Sequence, residues 1–353
     1  LKTECEQTAA DIERFSDLDE TSFAHAADLL SERTNKLASS LDFADRLHKI
    51  AVDIGDSDIA IQLIVLAGDI ACHGFGLGEI HLRINAVQLR NAMGVTDSGS
   101  GSSPFHDVRS RVLLDDLCTR IKSEPSWEIN FQSLSEENAT ARRQLMLSTQ
   151  ILKHVDCDQP IRLLIAECEN PVTIMTALYL AHKFGIADRL DISPLFETTF
   201  GLEHGVDLID QLLGHEVFCA YVRQRGRLAI ETGFSDAGRF VGQVSANLAI
   251  ERLQLKIAGL IKAKLNADVD FLIFNTHGES LGRGCAGPKI VDRQNFILTP
   301  YVRAHCKSIG VAIHHESSFQ GGDGYRMFGN KDLALSTIYN LFAAEIKPPT
   351  DAW

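Results

Sequence analysis

The stretch RLAIETGFSDAGRFVGQVSANLAIERLQLKIAGLIKAKLNADVDFLIF (227–274) decides the fold class. It opens on a short apolar run, RLAIETGF (227–234). A long segment with apolar residues at helical spacing follows, FVGQVSANLAIERLQLKIAGLIKAKL (240–265). It closes on a second short run, DFLIF (270–274). Strand, helix, strand at this length is a βα unit, and a crossover through a helix makes its two strands parallel. The same alternation recurs outward. IRLLIA (161–166), LDISPLF (190–196) and VAIHH (311–315) read as strands, separated by the helical segments PVTIMTALYLAHKFG, LEHGVDLIDQLL and LTPYVRAHCKSIG. LGEIHLRI (77–84) alternates like a sixth strand around Arg83. Repeated βα units predict an α/β fold: a TIM-like (β/α) barrel with many additional helices, mostly helical overall, with a doubly wound open sheet as the alternative.

The remainder is organised around that unit. Residues 1–74 read as a helical N-terminal part, with apolar positions at helical spacing in SFAHAADLLSERTNKLASSL and DFADRLHKIAVDI and with Asp42 and Asp58 as predicted N-caps. Residues 75–353 read as the barrel part. It contains a Gly/Ser-rich run, VTDSGSGSSPF (95–105), expected to be a flexible loop, followed by helix over 106–156.

Composition narrows the function. With 45% apolar and 23% charged residues in 353, the chain is an ordinary globular one, not disordered, collagen-like or coiled-coil. Its net charge of −13 repels phosphate backbones, so no nucleic acid partner is expected, and any local cluster of arginines stands out against the field. No uninterrupted apolar run is long enough to span a bilayer. The best candidate, Ile59 to Ala71, is broken by Gln62 and Asp69, so no membrane partner is expected. The N-terminal stretch has no apolar signal core. Eight scattered cysteines without CxxC spacing exclude a zinc ribbon and read as reduced thiols of a cytoplasmic protein.

In parallel barrels reactive groups sit at the C-terminal ends of strands. Here those ends carry Arg83, Glu197, Ser235 and Asp236, then Asn275, His277, Glu279 and Arg283, and Glu316. An isolated strand-end carboxylate is more often a solvated residue or a helix cap; recurrence at four strand ends argues for a site. Two carboxylates on adjacent strand ends suit a hard divalent cation that keeps some waters. Arginines beside them supply forked donors for phosphate or carboxylate. The set fits a small phosphorylated acid whose reaction develops charge on oxygen.

Other signals carry less. GRGCAG (282–287) matches GxGxxG but begins eight residues past the strand end at Phe274, which rules out a dinucleotide fingerprint. His314 and His315 are neighbours in a strand and point to opposite faces, so they do not share one ion. Cys168, between Glu167 and Glu169, is a poor nucleophile candidate.

Five segments, in order, resemble the phosphoenolpyruvate carboxylase family. SPLFET (193–198) is similar to the family's metal-ligand segment, with Glu197 in the ligand position. TGFSDAGRFVG (232–242) resembles GYSDSxKDAG, placing Asp236 as second ligand and Arg239 at the family's lysine. FNTHGESLGRG (274–284) resembles FHGRGGxxGRGG, placing Arg283 on the second arginine. FGLGEIHLRINA (75–86) places Arg83 on a substrate-pocket arginine. SFQGGDGYRMFGN resembles the TEQGE stretch, with Gln320 on its glutamine. Asn275 replaces the first histidine of the glycine-rich motif, His277 its first arginine, Glu279 a glycine, and Phe319 a glutamate. The family's chains are much longer.

The resemblance implies a lyase that carboxylates phosphoenolpyruvate with bicarbonate, giving oxaloacetate and phosphate, in a homo-oligomer. Glu197 and Asp236 would hold Mg²⁺ or Mn²⁺. Arg83, Asn275 and Gln320 would bind substrate; Arg283, His277 and Arg239 would act in catalysis, His277 as a base toward bicarbonate. The alternative is a degenerate barrel that binds a phosphorylated or carboxylate ligand, or a partner subunit, without turnover.

Overall fold

The computed structural model describes residues 2–13, 27–32, 37–75, 78–94, 108–275, 289–317, 325 and 327–346. The 95–105 loop and His277, Glu279, Arg283 and Gln320 lie outside the described residues. All six expected strands form: β1 (Ile80–Asn85), β2 (Ile161–Ala166), β3 (Leu190–Phe196), β4 (Arg227–Thr232), β5 (Asp270–Asn275) and β6 (Ile313–Ser317). They pair in that order, every pair parallel. Helices fill the connections, so the chain is α/β and mostly helical.

The two faces of the sheet differ. Ile161, Leu163, Ile165, Phe271 and Ile273 occupy alternate positions and join the main apolar core with the surrounding helices. The intervening positions carry Arg162, Asp191, Arg227, Glu231 and Glu316, along with Leu195 and Phe274. These residues meet one another across the sheet. Extending the parallel register straight across from Arg162 leads through Asp191, Arg227 and Asp270 to Ala312. The side chain that Arg162 reaches is Glu316, four residues farther along β6, at 2.8 and 2.6 Å. Likewise the His81 ring on β1 packs edge-on against Phe274 of β5, 4.5 Å between centroids. Four strands are matched by four residues in both cases, the one-residue-per-strand stagger that a tilted parallel barrel requires. The sheet is therefore curled with its inner face enclosed, while β1 and β6 stay unpaired edges among the described residues; closure into a barrel is not shown.

Arg162 is the centre of that enclosure. Only 3% of its side chain is exposed. It makes the forked pair with Glu316, bonds to Asp191 and reaches Glu79 at 3.3 Å. Asp191 also accepts from Arg225 at 2.8 Å and pairs with Arg227 at 3.1 Å.

Local details correct two expectations. The N-caps are Ser39 and Asp56, whose side chains accept from the amides of Asp42, and of Asp58 and Ile59. Asp42 and Asp58 lie inside the first turns of Ser40–Asp53 and Ser57–His73, where a carboxylate complements the helix dipole instead of capping it. The long helix expected from Phe240 is broken at Gly242, whose φ of 81° ends Phe234–Val241 before Gln243–Leu265 begins.

Removing the Arg162 head while keeping its bulk, Arg162→Met, leaves Asp191 and Glu316 without their shared counter-charge. Urea unfolding should show a loss of about 3–5 kcal/mol, the usual cost of breaking a buried ion pair from one side. A loss under about 1 kcal/mol would mean that the clamp does not hold the sheet.

Candidate active site

β3 and β4 end side by side. The Gly233 amide donates to the Phe196 carbonyl at 3.1 Å, carrying the ladder one step past the last paired residues. Glu197 follows Phe196 directly, and Thr198 then caps the helix Thr199–Leu212 by accepting from the Gly201 amide. After Gly233 the chain turns at once into Phe234–Val241, with Asp236 in its first turn. Those two short connections bring the side chains of Glu197 and Asp236 close enough to interact electrostatically.

Gly233 makes the approach feasible. A Cβ there would lie 2.6 Å from Glu197 Cβ and 3.3 Å from its Oε2. The loop after β2 grips the other side. The backbone of Glu167 faces the Glu197 carboxyl and favours its charged form, and Thr198 donates to Glu169 Oε1 at 2.6 Å. Glu167 itself has φ 56°, a left-handed conformation uncommon for a residue with a side chain.

The electrostatics follow from the crowding. Glu197 is pushed up to about 7, first by burial, then by its hydrogen bond to Asp236 and the repulsion of that charge. Arg83 and the Glu167 backbone oppose the rise. Near neutrality Glu197 thus carries a proton part of the time. Asp236 also pairs with Arg239, one turn along the same helix, at 2.6 Å.

Arg83 sits on β1 within electrostatic reach of Glu197, and its Nη2 lies 3.3 Å from Glu231 Oε1. Glu231, on β4 and 1% exposed, is missing from the residues that the sequence singled out. It sits inside the apolar-looking run RLAIET, and only its period-2 position on the face shared with Arg227 marks it as inward.

Other expected residues are placed differently. Asn275 is fully buried and engages β6, donating to the Glu316 carbonyl at 3.2 Å and accepting from Ser317 at 3.3 Å. Glu316, expected on the rim with the other carboxylates, is drawn inward by Arg162. The histidines separate as the strand alternation requires. His314 is exposed beside Asp270, whereas His315 is half-buried and lowered to about 4, by desolvation first and then by Arg303. Burial, more than its acidic neighbour, pushes the Cys168 thiol far above its ordinary range. So Glu197, Asp236, Arg83 and Arg239 come together, and Asn275 faces elsewhere. Among the described residues no cluster of three or more His, Cys, Asp or Glu is arranged to hold a metal. None of their helices is long and apolar enough to cross a membrane.

The model of the family described as phosphoenolpyruvate carboxylase matches residues 2–290. The chain belongs to that family. Among curated proteins, it is similar to the phosphoenolpyruvate carboxylase of Xanthomonas campestris pv. campestris (strain 8004), with 31% identity over 207 residues, 54% of this chain and 21% of the relative. It is also similar to that of Tolumonas auensis, with 23% identity over 264 residues, 73% of this chain and 28% of the relative. The chain therefore spans only a fifth to little more than a quarter of the length of these relatives.

Gly233→Ala should force the two acids apart. The Glu197 carboxyl, followed by ¹³C NMR, should titrate at least about one unit below its value of about 7 in the parent. An unchanged titration would show that Gly233 does not set the approach.

Proposed function

We propose that this chain carries the metal- and substrate-binding end of a phosphoenolpyruvate carboxylase centre, a lyase acting on phosphoenolpyruvate and bicarbonate. The contact between the Glu197 and Asp236 carboxyl groups supports the reading most. Two acids driven together in a half-buried cleft share a proton at the place where a hard cation bridges oxygens in metal sites, and the two-oxygen set leaves further positions for water and substrate. Glu197 and Asp236 would hold Mg²⁺ or Mn²⁺, which when bound supplies a Lewis acid for the oxygen on which charge develops.

The chain's own residues do the rest. Arg83 and Arg239 neutralise phosphate and carboxylate oxygens. Arg283, His277 and Gln320 keep the roles that the family resemblance implies, His277 toward bicarbonate. Asn275 acts through β6, holding the neighbouring strand end. Closure of the curled sheet into a (β/α) barrel belongs to the same proposal, and the one-residue stagger supports it. The Arg239–Asp236 pair favours a second reading, ligand binding without turnover, because it occupies one metal-ligand oxygen with a cation already present in the chain.

The proton predicts a pH signature. Because Glu197 titrates above its ordinary value, its contribution to metal-free stability is full below about pH 4.3 and is lost as pH rises through about 7. Thermal unfolding without metal should fall across that window. Added Mg²⁺ or Mn²⁺ should remove the fall by displacing the proton. A metal-free protein whose stability is flat or rising from pH 5 to 8 contradicts the shared proton.

Turnover decides between the readings. With phosphoenolpyruvate, bicarbonate and Mg²⁺, oxaloacetate is followed through malate dehydrogenase and NADH. Glu197→Ala and Asp236→Ala should each lower activity by about 10²-fold or more. Ligand-induced thermal stabilisation with no turnover in the parent protein supports the second reading instead.

A further inference from the structure

We infer that Glu231 is a positioning residue for Arg83: its buried carboxylate anchors one guanidinium nitrogen beside the Glu197–Asp236 pair and leaves the rest of the head open to an anionic ligand. The inference rests on Arg83 being a ligand-binding arginine, as proposed above, and not on the metal. Glu231 lies level with Leu195 on β3 and Phe274 on β5 in the parallel register, so its neighbours in the row are apolar. A carboxylate in such a row costs more than any ordinary side chain unless a cation meets it. Among the described residues Arg83 supplies such a cation from β1, three strands away across the curled sheet.

The pair is asymmetric. Glu231 is 1% exposed, whereas the Arg83 side chain is 56% exposed. A long, flexible arginine half in water loses much rotamer freedom when it binds a ligand, and an anchor at its base removes part of that loss beforehand. A guanidinium has five N–H donors in a fixed fork, so a contact at one Nη2 orients the plane without using up its capacity for anions. Among the described residues the Arg83–Glu231 contact is one Nη2–Oε1 approach at 3.3 Å, not a forked pair, which leaves Arg83 able to take a second partner.

Reach and charge give opposite expectations, so conservative variants separate them. Glu231→Asp keeps the charge but withdraws the carboxylate by one methylene. Glu231→Gln keeps the reach and an acceptor oxygen but removes a negative charge that opposes anions. Inorganic phosphate is the probe, titrated calorimetrically without metal, and Mn²⁺ affinity is measured in parallel by EPR. Phosphate affinity should fall about tenfold in Glu231→Asp, the lower end of what a charge-assisted hydrogen bond contributes. In Glu231→Gln it should stay within about threefold of the parent or rise. Mn²⁺ affinity should be the same in all three. Should the aspartate variant fail to fold, Glu231→Leu, which matches its apolar row, carries the same tenfold expectation. Equal phosphate affinity in all variants, equal losses in both, or a parent that does not bind phosphate overturns the inference. Loss of Mn²⁺ binding in the parent with the phosphate pattern intact retires the metal proposal alone and supports the anchoring role.

Discussion

Arg162 puts a full positive charge inside the sheet, and the curl of the molecule depends on how that charge is met. Its partners come from β3, from β6 and from the residue leading into β1. A guanidinium buried to this degree is costly by itself. The arrangement that satisfies it is one in which strands four apart turn their inner faces toward each other. Once that happens, β1 is carried over β4, and Arg83 comes to rest against Glu231. The position of the candidate site is thus a downstream result of an ion cluster seated on the same strands as its carboxyl pair, at their opposite ends.

At the rim the logic reverses: like charges are brought together. Two short connections and the missing side chain at Gly233 let Glu197 approach Asp236, and burial makes the encounter unfavourable for two anions. A proton, Arg83 and Arg239 each relieve part of that repulsion. That residual negative charge is what supports the proposal of a cation at this place, with Arg239 the group that it would displace from Asp236. The left-handed Glu167 and the Thr198–Glu169 bond brace the same strand end from β2, which makes the position of Glu197 a property of three consecutive strands.

Much of this was legible in the residues. Five strands were visible as short apolar runs because parallel strands are covered on both faces, and β1 as an alternation, as suits an edge strand. Glu197 and Asp236 stood out because they follow those runs directly. What stayed hidden has a common cause. Arg162 and Glu231 lie within the runs, where a charged residue reads as an interruption, and only the strand-to-strand register shows that each meets an opposite charge from a distant strand. Asn275 ended a strand just as Glu197 did, yet its position falls on the other face, a difference of one residue that decides which surface a side chain serves. The caps at Ser39 and Asp56 were missed because an acidic residue two or three positions later is equally at home in the first turn.

The paired acids that follow β3 and β4 are proposed here as a cation site facing Arg83. The most direct measurement is an anomalous difference map from crystals soaked in Mn²⁺. A single strong peak between the carboxyl groups of Glu197 and Asp236, with Arg83 still resting on Glu231, is the expected result. A map with no peak between them, and with the two carboxyl groups turned apart, would contradict it.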